Sequence, residues 1–82
     1  MGPICVTCKT VMCCHKNGRA VEFVSGGEPY QIWHGDEWAC RMCGASVIVG
    51  FPSQPMEEAF RPSYAVLRQA EMDHDNLVTV EV

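Results

Sequence analysis

Four cysteines set the chemistry this chain can do. Cys5 and Cys8 stand two residues apart in "CVTC"; Cys40 and Cys43 repeat the spacing in "DEWACRMCGAS", with thirty-one residues between the pairs. A tight turn of this spacing points both sulfurs inward, and the backbone N–H groups after each first cysteine can donate to its thiolate. Two such turns that converge build a tetrahedral four-sulfur metal site. Gly44 directly follows the second pair and relieves crowding past that turn. Redox cycling of two separate pairs is the competing chemistry, but a thioredoxin-like motif needs a βαβ setting that this sequence lacks. One ion per chain, ligated by Cys5, Cys8, Cys40 and Cys43, is therefore expected.

The remaining chemical groups read as less specialised. "MCCH" places Cys13 and Cys14 beside His15. Neighbours on a strand point to opposite faces, so only one of the two thiols can face a given site. One is expected to be buried as a small apolar residue and the other exposed. His15 and His34 read as surface histidines, and His74, between Asp73 and Asp75, as a solvated helix end. Four cysteines complete a tetrahedral ion and leave no position for water, which makes the site structural. No G-x-S-x-G, H-E-x-x-H or phosphate loop is present, and Ser25, Ser46, Ser53 and Ser63 show no pairing with a histidine. No enzyme is expected.

These cysteines must be positioned by a small body. A domain of 82 residues buries only about 60% of the surface its unfolded chain exposes, so a metal is a plausible support. Residues 1–51 hold all six cysteines; residues 52–82 hold none, and Pro52 and Pro55 mark the join. In the first segment "VEFV" alternates as a strand, "SGGEP" is a turn, and "YQIW" is a second strand with Tyr30 and Ile32 on one face and Trp33 on the other. "HGD" reads as a tight turn at Gly35, Glu37 to Ala39 as a third strand, and "SVIVGF" as a fourth. In the second segment "PMEEAF" suits helix, and a longer helix starts near Pro62. Helix is expected over 56–73, packing Tyr64, Val66 and Leu67 onto "SVIVGF". "DHDN" ends it, and "LVTVEV" alternates as a terminal strand.

Charge divides the same way. Lys9, Lys16, Arg19 and Arg41 balance Glu22, Glu28, Asp36 and Glu37, so residues 1–51 are neutral and residues 52–82 carry the formal −4. Four thiolates on one divalent ion add roughly −2. That total disfavours a phosphate backbone as ligand.

With these residues in view, the first 51 resemble a zinc ribbon, in which two cysteine knuckles clamp one zinc beside a small antiparallel sheet. "CVTC" and "WACRMCG" followed by an apolar strand carry the likeness. The C-x-x-C start, the "KNG" turn (Lys16 to Gly18) and a tryptophan before the second C-x-x-C-G also resemble small, functionally uncharacterised phage-type zinc-ribbon proteins. Rubredoxins are similar as well, with two such pairs and an Asp and a Trp before the second. The chain departs from them at Arg41, where proline is usual, at Lys9, where glycine is usual, and at "KTVMCCHKNGR", which replaces an acidic aromatic stretch. The resemblance implies one structural Zn2+; the rubredoxin likeness implies iron and electron transfer.

The expected fold is thus a small metal-stabilised antiparallel β protein, zinc-ribbon or rubredoxin-like. Residues 1–51 form the ribbon with its two knuckles, and residues 52–82 a helical acidic tail packed on it, ending in a strand. The expected role is a cytoplasmic protein-binding module, which the phage-type resemblance extends to a modulator of a host protein in the host-cell cytoplasm. The alternatives are a nucleic-acid-binding ribbon or an iron electron carrier. Trp33, Trp38, Glu57, Glu58, Glu71 and Asp73 are the partner-binding candidates, with the acidic tail leading. Residues 77–82 could instead pair with a second copy, and no membrane contact is expected.

Overall fold

The computed structural model describes residues 2–82, in the order β1 (Ile4–Cys5), β2 (Thr10–Val11), β3 (Cys13–Ser25), β4 (Glu28–Ala39), β5 (Ser46–Val49), β6 (Glu57–Glu58), α1 (Ser63–Asp73) and β7 (Leu77–Glu81). β1 and β2 form a two-stranded antiparallel sheet around the first cysteine pair. A second sheet has the order β5-β4-β3-β7, with β6 also paired to β4. The chain is mostly β, with one short helix near its C-terminal end.

The β3–β4 hairpin is the spine. It closes on Gly26 and Gly27, both at positive φ (60° and 83°), as a two-residue primed turn requires. Thirteen strand residues at about 3.3 Å each span roughly 40 Å, which accounts for the longest dimension of 43 Å. The radius of gyration, 14.1 Å, exceeds the roughly 12 Å of a compact chain this long, so the two ends of the hairpin are well separated.

Several expected elements merge into this spine. "HGD" is no turn: His34 to Asp36 continue through β4, and "YQIW" and Glu37 to Ala39 are parts of the same strand. Gly35 serves space instead. A Cβ there would meet Ile48 Cγ2 at 2.8 Å and Phe51 Cε1 at 2.9 Å. "KNG" likewise lies within β3, where the register shifts twice between Cys14 and Arg19; it is a bulged segment rather than a reversal. Another shift, between Phe23 and Val24, leaves Tyr30 without a paired residue. Tyr30 therefore departs from the face of Ile32 and stacks on Phe23, with centroids 6.3 Å apart. Trp33 and Phe51 join the same ring cluster.

The second segment is woven into the sheet. β7 runs parallel to β3 along Ala20–Val24, so the strand-like end pairs within its own chain. "PMEEAF" forms no helix. Glu57 and Glu58 pair with Ile32 and Gln31, and the Met56 and Ala59 N–H groups donate to the Ile32 and Tyr30 carbonyls at 2.8 and 2.9 Å. The open edge of β4 offers ladder hydrogen bonds that outweigh local helix preference. α1 begins only at Ser63, directly after Pro62. It packs Tyr64, with Leu67 alongside, on Ala20 and Ile32 rather than on β5, and Val66 is 72% exposed. The fully buried Glu22 carboxylate accepts from the Tyr64 hydroxyl at 2.8 Å and from Arg68 Nε at 2.7 Å, tying the helix to the sheet. Burial first, and then this bond to a carboxylate, raise the Tyr64 phenol well above its ordinary range. No helix among the described residues is long and apolar enough to cross a membrane.

Candidate metal centre

The two knuckles are built alike. β1 leads into Cys5, and the chain turns back so that the Lys9 N–H donates to the Cys5 carbonyl at 2.7 Å. β4 leads into Cys40, and the Gly44 N–H donates to the Cys40 carbonyl at 3.0 Å. In each knuckle the residue after the second cysteine is left-handed: Lys9 at φ 56° and Gly44 at φ 79°. Lysine thus holds a conformation that glycine adopts without steric cost.

These turns bring Cys5, Cys8, Cys40 and Cys43 together. Their four Sγ atoms lie within 4.8 Å of one another, and the Cys5–Cys43 pair is 3.8 Å apart. A tetrahedron with metal–sulfur bonds of about 2.3 Å has sulfur–sulfur edges of about 3.8 Å. The donor set and spacing can therefore hold a single metal ion. Cys5 and Cys40 are buried, Cys8 is half-buried and Cys43 is exposed, so one side of the cluster faces solvent.

The thiols are electrostatically unequal. Backbone N–H from Cys43, the Thr10 hydroxyl and backbone N–H from Met42 lower Cys40 to about 6. The Thr10 oxygen lies 3.5 Å from that sulfur. Hydrogen bonding to Cys43, burial, and the adjoining Cys40 and Cys5 sulfurs push Cys8 up to about 12. One thiolate thus forms readily, and its charge opposes the last. A bound cation removes that opposition, because a coordinating thiol is deprotonated outright.

Cys13 and Cys14 fall outside the cluster, with Cys13 half-buried and Cys14 exposed, as their alternation on a strand requires. Cys13 Sγ accepts from Arg41 Nε at 2.9 Å, and the Cys14 thiol donates to Asn17 Oδ1 at 3.1 Å. Trp38 packs on Cys5, Met12 and Cys40 as apolar cover, whereas Trp33 belongs to the ring cluster of the hairpin. His15 and His74 are exposed. His34 is half-buried instead, with Nε2 3.6 Å from Glu71 Oε1, because its side of β4 faces α1.

The acidic partner candidates are mostly engaged within the chain. Glu57 lies 3.7 Å from Arg61 and accepts from the Ser63 hydroxyl at 2.8 Å. Glu58 meets Arg61 and Gln31, and Glu71 meets His34 and accepts from Asn76 Nδ2 at 2.6 Å. All three are half-buried; only Asp73 is exposed, as expected of the whole set. Glu57 and Glu58 thus share the Arg61 cation, and Glu71 is held by His34 of β4 and by Asn76.

What the sequence reading missed lies at the knuckle tips. Val6 and Met42, each between the cysteines of its pair, are 84% and 73% exposed. Ile4 and Val11 beside them are 56% and 51% exposed. The signal was available, since an apolar residue between two metal ligands has no core to enter. No protein-family model, curated protein or solved structure matches the chain.

Proposed function

We propose that this chain is a small protein-binding module whose knuckle end is locked by one structural zinc ion, as in a zinc ribbon. The observation that carries this reading is the outward display of Val6, Met42, Ile4 and Val11 around four convergent thiols. An ion held by all four sulfurs keeps no position for water or substrate, so the site supplies rigidity rather than hydrolysis. Large apolar side chains held rigidly in solvent are what a partner surface requires. Zinc is favoured over iron by the departures from rubredoxin at Lys9, Arg41 and the stretch after the first pair. A host protein as target rests on the phage-type resemblance alone.

Two measurements test this. Protein from native cells should be colourless and contain one zinc per chain by elemental analysis; red protein containing iron would replace the module with an electron carrier. A photo-crosslinker at position 42 should capture one protein from native cells, whereas one at position 69, on the exposed helix, should not. Capture of nucleic acid alone would refute the module.

A further inference from the structure

We infer that the groove between Thr10–Cys13 and the second knuckle is the docking site, and that it takes an extended partner segment pairing an acidic side chain with apolar neighbours. This deepens the protein-binding reading above and rests on it. The groove has a volume of about 420 Å³ and is lined by Thr10, Val11, Met12, Cys13, Arg41 and Met42. Its rim carries the exposed side chains of Val11 and Met42. Methionine is unbranched and adaptable, which suits a surface that closes over a partner's apolar side chain.

The loaded four-thiolate site adds roughly −2, which Lys9 and Arg41 offset, so the placement of Arg41 and not net charge decides the chemistry of the occupant. No aspartate or glutamate occurs in residues 1–21 or 38–56, and Glu37, the acidic residue that borders this end, is paired with Arg19 at 3.5 Å. Lys9 and Arg41 are exposed here, and no acidic side chain pairs with either among the described residues. Arg41 is also aimed. Its Nε–H donates to Cys13 Sγ at 2.9 Å, which leaves the two terminal nitrogens of the guanidinium for a carboxylate. The same bond holds the guanidinium against the groove wall that Cys13 helps to form. A basic fork beside apolar walls complements a carboxylate flanked by apolar groups.

Two other modes fit less well. Nucleic acid calls for many cations along a track, and a protein that depends on phosphates typically contacts several at once. This end offers few cations, on a chain of formal charge −4. Backbone pairing along the outer edge of β3 is hindered by the register shifts between Cys14 and Arg19, which deny a straight template. Recognition therefore falls to side chains.

The test uses the full, metal-loaded chain. Fluorescent peptides of alternating Asp and Leu are titrated against it, beside Lys/Leu and Asp/Ser counterparts and a short single-stranded DNA. The Asp/Leu peptide should bind best, moving amide signals of Thr10–Cys13 and Arg41–Met42 in NMR spectra. Arg41→Glu and Met42→Ser should each weaken it by roughly tenfold, the loss typical of one important interface contact, while Gln69→Ala changes nothing. Both variants must retain one metal per chain, and Met42→Ser leaves the Cys13 contact intact should Arg41→Glu disturb it. Equal binding of the Lys/Leu peptide, shifts confined to other residues, or tighter binding of DNA would overturn the proposal. The native partner separates the two readings. A protein captured at position 42 whose binding neither shifts the amides of Thr10–Cys13 nor weakens in Arg41→Glu would remove the groove and leave the module standing; nucleic acid alone would remove both.

Discussion

At the cysteine end of the β3–β4 hairpin the buried residues are Cys5, Met12 and Cys40, with Cys8 and Trp38 packed against them. Toward the turn end they are Ala20, Ile32 and Tyr64, with Leu67 and Leu77 alongside. The second set includes fully buried Ile32 and, beside it, the Glu22–Tyr64–Arg68 bonds. The first set contains no large aliphatic side chain besides Met12 and spends three of its five residues on thiols. A buried large side chain contributes about 1.5–3 kcal/mol, so the cysteine end cannot hold two turns and a two-stranded sheet by burial alone. A structural metal, worth about 10–16 kcal/mol in apparent terms in small peptides, can. One hairpin thus carries two kinds of cohesion: packing at one end and, at the other, a thiol cluster that can hold a metal ion. Both ends leave apolar side chains outward, Phe60 and Val66 (78% and 72% exposed) toward the packed end, but only at the cysteine end do they stand between and beside the clustered thiols.

The largest expected effect breaks the cysteine end alone. Cys40→Ser, or removal of the metal by a chelator, should strip hydrogen-exchange protection from residues 2–12 and 40–46. Protection over Ala20–Val24 and α1 should persist. Loss of protection everywhere at once would show that the two ends form one cooperative unit. Cys13→Ser should leave metal content unchanged, since its sulfur is outside the cluster.

The converse change strikes the packed end. Ile32→Ala removes a side chain of 0% exposure and should cost about 2–5 kcal/mol in chemical denaturation. Metal stoichiometry should stay at one per chain. A variant that also loses its metal would mean that the sheet positions the knuckles more than the knuckles position themselves.

A smaller effect sharpens the packed end by pH. The Tyr64 phenol is raised in the folded chain, chiefly by burial. A folded value above the unfolded one stabilises fully below the ordinary tyrosine range, about 10, and loses that contribution as pH rises through the folded value. Stability of the helix–sheet region should therefore fall on the alkaline side of pH 10, followed by α1 exchange. Tyr64→Phe should flatten that fall and itself cost roughly 1–3 kcal/mol, since the buried Glu22 carboxylate loses a donor. An unchanged alkaline profile in Tyr64→Phe would assign the fall to another group.

How much of this was legible follows from the range of each signal. The four ligands were readable because C-x-x-C spacing encodes its own turn, and the "SGGEP" reversal because two glycines permit two positive φ angles. The end of the helix at "DHDN" and the strand at "LVTVEV" were local patterns too, and both occur. What failed depended on partners far along the chain. Gly35 looked like a turn residue, yet its reason is the closeness of Ile48 and Phe51. Glu57 and Glu58 looked helical, yet the free edge of β4 at Gln31 and Ile32 claims them. The acidic surface looked exposed because no sequence pattern shows His34 arriving beside Glu71, although Arg61, three and four residues from Glu58 and Glu57, lay within local reach. Residues 52–82 looked like an appendage, yet β6 and β7 join the sheet that also holds β5.

The smallest effect lies inside the cysteine end and compares its two knuckles. Both turns end in the same left-handed position, one filled by Lys9 and the other by Gly44. A side chain in that conformation costs roughly 1–2 kcal/mol, and part of any gain from glycine is offset by about 0.5–1 kcal/mol of unfolded-state entropy. Lys9→Gly should therefore stabilise the metal-loaded chain by up to about 1 kcal/mol, which for a domain of this size raises the melting temperature by roughly 4–8 °C per kcal/mol. Gly44→Ala is the mirror experiment. A Cβ at Gly44 would meet no atom within 4 Å, so its cost comes from the backbone conformation alone. By the same offset it should lower stability by up to about 1 kcal/mol and weaken metal retention against a chelator. The two changes together should nearly cancel if the knuckles are energetically independent. If Lys9→Gly instead lowers stability, the lysine side chain contributes to the fold in a way that outweighs its backbone strain, and the knuckles are alike in shape but not in what holds them.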